Sequence, residues 1–238
     1  MSGMKISLHI PVFISCFLGL GLQVTAQNAF TNGSLDFSPQ PANGPNGVVP
    51  AAWTNISNSD TAWDGWALNS GQGQVSIDST DSGEFVHSLY DATLAPTFAE
   101  GIEQTVSGLT VGATYVFSFE QSQLYWDGGS LQAGVPSNLD GWWDVQMGTT
   151  TLFSSATMSA PTTPNTNTAW QNQSFTFIPT SSTATFSFLA KNDVDDRGAA
   201  GRSDMLIDGI SLVAVPEPGS SMLLILGTSL LCLRRRVA

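Results

Sequence analysis

Tryptophan stands beside aspartate and glycine twice in this chain, in Trp63-Asp64-Gly65-Trp66 and in Tyr125-Trp126-Asp127-Gly128. An indole carried on a loop offers a flat apolar surface with little rotamer entropy to lose, which suits stacking on a sugar ring. A neighbouring carboxylate such as Asp64 or Asp127 accepts hydrogen bonds from hydroxyls. Trp142 joins the set because it alternates with Trp143 and so points to the other side of its strand. The expected polysaccharide-binding residues are therefore Trp63, Asp64, Trp66, Tyr125, Trp126, Asp127 and Trp142. The competing reading is that the tryptophans fill the core, and it is preferred for Trp53, Trp143 and Trp170.

Two acidic features could hold a cation. In the segment Ile207-Asp208-Gly209-Ile210-Ser211-Leu212, simple alternation puts Asp208 on the face of Ile210 and Leu212. A carboxylate on a core face needs a cation or several donors, and oxygen ligands suit calcium. The other solution is hydrogen bonding to backbone amides at a strand edge. The second feature is Asp193, Asp195, Asp196 and Asp204, spaced in part like a calcium loop. Arg197 sits where a ligand belongs, and a solvated loop paired with Lys191, Arg197 and Arg202 is the plainer reading.

Catalysis has little to stand on. His87 is the only histidine after residue 26, residues 27–214 contain no cysteine, and there is no Gly-x-Ser-x-Gly turn. A glycoside hydrolase with paired carboxylates remains an alternative, but nothing singles out two acids. A non-enzymatic protein is expected.

These groups need a frame, and the composition limits which one. The chain has 238 residues, a formal charge of −12 and a hydrophobic fraction of 42%. An acidic chain would not neutralise phosphates, so nucleic acid is excluded as a partner. The hydrophobic fraction is too high for acidic disorder. Residues 27–214 hold three basic and eighteen acidic residues, a balance of −15. They show no amphipathic helix. Short alternating segments recur instead: Tyr115, Phe117 and Phe119; Trp143, Val145 and Met147; Phe175 and Phe177; Phe186 and Phe188. Gly, Pro, Asn, Ser and Thr separate them, and residues 108–112 read as a tight link. This predicts an all-β, antiparallel β-sandwich of the jelly-roll type over residues 27–214.

The order of short motifs resembles the galactose-binding-like jelly rolls of carbohydrate-binding modules. Residues 32–36 (Asn-Gly-Ser-Leu-Asp) open the domain, Trp53 follows a proline-rich loop, residues 101–109 lead into 112–115, Trp170 precedes 174–177, and 207–212 close it. The resemblance implies first and last strands lying side by side. It also implies a structural calcium linking the opening and closing motifs, with Asp36 and Asp208 as its ligands. Gly209 stands where the family often has a second Asp.

The two ends read as addresses. Lys5, an apolar run to about Leu22, and Val24-Thr25-Ala26 before Gln27 form a secretory signal peptide over residues 1–26. At the other end, Pro216-Glu217-Pro218 precedes an apolar run over 220–233 and then Arg234, Arg235 and Arg236. Fourteen apolar residues are short for a span, and the arginines orient such a helix with its end on the cytoplasmic side. Residues 215–238 resemble the PEP-CTERM sorting signal of bacterial exosortase substrates. The resemblance implies recognition of Pro216-Glu217-Pro218 and removal of the tail by exosortase, after signal peptidase has acted at the N-terminus. The expected product is exported through the inner membrane to the cell surface or extracellular matrix, held by the tail until processing, where its jelly roll binds exopolysaccharide, as in a biofilm. The alternative is a structural or adhesion matrix protein without a sugar site.

Overall fold

Alternating aromatic and hydroxylated side chains give strands that can bury one face while their other face meets water. The computed structural model describes residues 27–36, 49–56, 66–69, 77–80, 83–91, 98–125, 139–164, 166–192 and 202–216, of which 66–69, 91 and 98 are described by their backbone alone. These residues form strands and no helix. In chain order the strands are β1 (Thr54–Ile56), β2 (Trp66–Asn69), β3 (Glu84–Asp91), β4 (Phe98–Ala99), β5 (Gly101–Ser107), β6 (Tyr115–Tyr125), β7 (Gly141–Met147), β8 (Thr150–Ser154), β9 (Thr166–Asn167), β10 (Gln171–Phe177), β11 (Thr183–Asn192) and β12 (Arg202–Ala214).

They build two antiparallel sheets. One has the order β1-β5-β11-β7-β8, and the other the order β10-β6-β12-β3-β2, with β4 added to β3 and β9 to β6. This is the all-β sandwich that the alternation predicts. The inward rows are those read from the sequence. Phe117 and Phe119 from β6, Phe186 and Phe188 from β11, and Trp143 and Val145 from β7 are buried between the sheets. Their rings meet edge to face, as Phe188 does with Phe119 at 5.9 Å and with Trp53 at 5.8 Å. Such pairs add stability beyond the area they bury.

The N-terminal segment closes the core from one side. Asn28 bridges to Val213, its side chain donates to the Ile210 carbonyl at 2.9 Å, and Ile210 N–H donates to the Gly33 carbonyl at 2.8 Å. The first and last segments of the domain are thus neighbours. A side chain at Gly33 would collide with the Ile210 carbonyl oxygen, so the close approach requires glycine.

Asp208 departs from simple alternation. The register of β12 on β6 shifts between Asp208 and Ser211, and Gly209 has φ +59°. A bulge of this kind inserts one residue and reverses which way the side chains point. Ile207 and Ile210 both face the core, and Asp208 lies on the opposite, outer face with Asp204 and Leu206. The expectation that Asp208 shares a face with Ile210 and Leu212 is corrected by this bulge. Trp66 and Tyr125 were expected on loops; Trp66 opens β2 and Tyr125 ends β6.

Phe188 touches Phe30, Trp53, Phe117 and Phe119. Phe188→Ala should lower unfolding stability by about 3–5 kcal/mol. Urea denaturation followed by tryptophan fluorescence measures this, and a loss below about 1 kcal/mol would contradict the central place given to this ring.

Candidate functional site

Three groupings of polar side chains stand out, and they lie on different surfaces. The first is the outer face of the five-stranded sheet. Trp142 is half-buried there while Trp143, the next residue, is fully buried. Its indole N–H donates to Asp144 Oδ1 at 3.1 Å, and Ser154 Oγ donates to the same oxygen at 2.6 Å. This fixes the ring two residues along the same face from its partner. The register continues the face from Asp144 to Leu189 and from Gln146 to Ser187, with Glu103 beyond. Ser187 Oγ donates to Glu103 Oε2 at 3.2 Å. The result is a polar sheet face with one immobilised indole. Lys191 stands opposite Trp142, but its ammonium is directed to the Tyr90 ring, 5.4 Å from the centroid.

The second grouping is on the outer face of the seven-stranded sheet and is sealed. His87 Nε2 is 2.6 Å from Asp204 Oδ1, and Arg202 Nε is 3.2 Å from Asp204 Oδ2. All three side chains are buried, with Phe85, Leu89, Leu124 and Leu206 also buried on that face. Asp204 therefore does not serve as the last ligand of a calcium loop; its two oxygens are taken by Arg202 and His87. The expected Arg202–Asp204 pair exists, but inside the fold. Residues 193–196 of that loop lie outside the described residues. A histidine–carboxylate pair without access to solvent holds strands β3 and β12 together; it is not placed to meet a substrate.

The third grouping surrounds Asp208. It is fully buried and faces Glu120 across the β12–β6 pair. Ser79 Oγ donates to Asp208 Oδ2 at 2.5 Å, and Gly209 N–H donates to Oδ1 at 2.7 Å. Thr80 donates to Glu120 through its backbone N–H at 2.9 Å and through its hydroxyl. Residues 77–80 thus lie across β6 and β12 and cover two side-by-side carboxylates. Asp36 is exposed and accepts from Ser34 Oγ at 2.7 Å. Its Oδ1 lies where a side chain at Gly83 would reach, 2.6 Å from that position. Among the described residues no group of three acidic, histidine or cysteine side chains converges on one point.

The sequence reading missed Glu120 and the His87–Asp204 pair. By alternation Glu120 stands on the face opposite Phe117 and Phe119, away from the core. Its burial depends on residues 77–80, which approach from about 40 positions away in the chain, and no local pattern announces that. Of the other expected sugar-binding residues, Tyr125 is half-buried and pairs with Thr166. Trp66 is opposite His87 in the β2–β3 register. Trp63, Asp64, Trp126 and Asp127 lie outside the described residues. Trp53 and Trp143 are buried, as expected for core residues. Trp170 is only half-buried. It packs edge to face on Phe85, at 5.4 Å, and donates from Nε1 to the Ile77 carbonyl at 2.8 Å.

No family model and no curated protein matches the chain. Solved structures do. The Stig cyclase FisC from Fischerella sp. TAU, solved with an indole ligand, matches at 13% identity and a TM-score of 0.52, covering 81% of this chain and 99% of that one. The chain shares that β-sandwich fold; identity this low shows nothing more. TmCBM61 in complex with β-1,4-galactotriose matches at 14% identity and a TM-score of 0.44, over 79% of this chain and 99% of that one. The K2 cleaved adhesin domain of Lys-gingipain matches at 16% identity and a TM-score of 0.44, over 77% and 97%.

The His87–Asp204–Arg202 group is expected to be structural. Asp204→Ala leaves two buried cationic or polar partners uncompensated and should cost about 3–5 kcal/mol. Chemical denaturation of the purified variant checks this, and wild-type stability would show that the pair carries no structural weight.

Proposed function

We propose that the chain is an exported bacterial cell-surface or matrix protein whose jelly-roll domain binds extracellular polysaccharide on the outer face of the five-stranded sheet. The observation that carries this reading is Trp142. Its side chain is half-exposed and its indole is held by Asp144, so little entropy remains to be lost when a sugar ring stacks on it. Asp144, Gln146, Ser187 and Glu103 continue the same face with planar or hydroxylated groups that bond sugar hydroxyls. The role is non-catalytic: binding needs only this open face, and the one histidine–carboxylate pair of the described residues is sealed in the other sheet.

Export belongs to the same proposal. Residues 1–26 serve signal peptidase, and Pro216, Glu217 and Pro218 serve exosortase, with residues 220–233 in the membrane and Arg234, Arg235 and Arg236 on its cytoplasmic side until processing. Pro216 is exposed just beyond β12, where a processing enzyme can reach it. Of the remaining motif, Glu217, Pro218 and the arginines lie outside the described residues.

Calcium is the cofactor proposed with this fold. Asp208 and Glu120 present two carboxylates side by side, and Ser79 and Thr80 add hydroxyl oxygens, a hard donor set. Asp36 lies beside Gly83 and does not complete a group of three acids among the described residues. A calcium ion here would displace the Ser79 and Gly209 donors from Asp208 and the Thr80 donors from Glu120, with backbone carbonyls or water completing its shell.

Two measurements test the proposal. The purified protein should be retained on the producer's own polysaccharide, and Trp142→Ala should weaken retention by roughly 10-fold, about 1–3 kcal/mol of stacking by analogy with other ring systems. Absence of retention with and without chelator would remove the sugar-binding role and leave a structural matrix protein. Thermal unfolding should shift upward in excess calcium relative to chelator, because a ligand of the native state alone stabilises it. Equal melting temperatures would remove calcium.

A further inference from the structure

Among the described residues, the charges of this acidic domain are absent from one end of the sandwich. The sequence has no Asp, Glu, Lys or Arg between Glu103 and Glu120, between Asp144 and Lys191, from 27 to 35, or from 209 to 216. The register turns these gaps into a place. Glu103 is level with Ser187 and Gln146 in one sheet, and Glu120 is level with Asp208 in the other. Beyond those rows β5, β6, β10, β11 and β12 run on without a charge; on β3, Glu84 stands two residues before Val86, the partner of Ile207, and the uncharged rows lie past it. Three loops, over residues 108–114, 148–149 and 178–182, close that end. Leu109 N–H donates to the Ser182 carbonyl and Gly112 N–H to the Pro179 carbonyl, each at 3.0 Å.

The same end is apolar. Val111 is 59% exposed, Ile178 58%, Val215 41% and Val116 37%. Val116 is directly opposite Val213 on β12 and Thr176 on β10. Thr110, Thr180, Ser181 and Ser182 are exposed around these side chains. The chain also leaves the domain here. Val215 N–H donates to the Thr114 carbonyl at 2.8 Å, and only residues 217–219 separate Pro216 from the apolar run that starts at Ser220. Four peptide steps span at most ~14 Å.

We propose that this uncharged end is a membrane-facing surface, seated on the bilayer that holds the tail. The inference rests on the reading of residues 220–233 as a membrane segment and adds to it a defined orientation of the domain. A body of net −15 tethered this closely to anionic headgroups is repelled unless its acids face away. From Glu120 to Tyr115 the strand covers about 17 Å at ~3.3 Å per residue, roughly two screening lengths at physiological salt. Valine and isoleucine side chains enter the headgroup region, where apolar burial favours them, and the surrounding hydroxyls bond headgroup oxygens. A lipid surface satisfies all three features together: no charge, exposed aliphatic groups, and a tether too short to let the end move away.

The test uses residues 27–238 with Cys232→Ser, reconstituted in phosphatidylethanolamine–phosphatidylglycerol vesicles. Single cysteines replace the exposed Val111, Ile178 and, at the opposite end, Thr162, and each carries a bimane label. Emission at 111 and 178 should shift to the blue and fall about twofold when nitroxide-labelled lipid is included, as expected for a shallow insertion of ~5–10 Å; the label at 162 should not respond. Protein that stays with the vesicles through an alkaline wash but shows no quenching at 111 and 178 overturns the membrane-facing surface and leaves the tail reading intact. A blue shift without quenching means that protein, such as a second copy, covers the end, and also overturns it. Protein lost in the wash overturns the tether itself, and the surface with it.

Discussion

β12 is paired along both edges and buried on both faces, and the rest of the domain depends on that double burial. Met205, Ile207, Ile210 and Leu212 face the aromatic core, while Arg202, Asp204, Leu206 and Asp208 are buried on the other side. A strand placed this way needs a partner for every polar group, because an uncompensated buried charge costs several kcal/mol. The domain meets that demand locally. Asp204 holds both Arg202 and His87, and Asp208 is met by Ser79 and its own neighbour's amide.

This constraint explains the economy of basic residues. Between residues 27 and 214 there are only Lys191, Arg197 and Arg202. Arg202 is spent inside the fold on Asp204, and Lys191 points to the Tyr90 ring. Hydroxyl and amide donors take the place of cations elsewhere: Thr80 for Glu120, Ser34 for Asp36, Ser154 and Trp142 for Asp144. Neutral donors leave the negative charge in place, so the acidic balance of the domain survives folding. Such a charge disfavours association between copies of the domain.

The inward rows were legible because alternation is a local property of a strand. Phe117 with Phe119, Phe186 with Phe188, and Trp143 with Val145 each needed only their neighbours in sequence. The face of Asp208 was not legible, since one inserted residue with φ +59° at Gly209 reverses the alternation. The glycine was visible, but a glycine in a strand signals a bulge without fixing its register. The burial of Glu120 and His87 was hidden for a different reason. It arises when chain distant in sequence covers the outer face of a sheet, and periodicity carries no information about a second layer. On the outer face of the five-stranded sheet, Trp142 could be picked by its alternation with Trp143. Its fixation by Asp144 and Ser154 depends on the β7–β8 pairing, which is irregular between Val145 and Gln146.

The three surfaces follow from how charge is distributed along the strands. β5, β6 and β12 are hydroxylated or apolar toward the end where the chain departs, with their acids in the middle or at the opposite end, while β3 carries Glu84 at its start on the departing side. A sandwich converts this one-dimensional order into a polar axis, because antiparallel pairing places the uncharged halves of β5, β6, β10, β11 and β12 level with one another. The axis separates tasks that would otherwise conflict. An end that lies near a bilayer must be neutral, while a face that holds a hydrated polysaccharide benefits from carboxylates and amides. With Trp142, Asp144 and Glu103 on the side of the sandwich, past the uncharged rows, the proposed glycan face and the proposed membrane-facing end do not overlap. The order of charge along β5, β6 and β12 is what leaves room for both proposed surfaces on a single small domain.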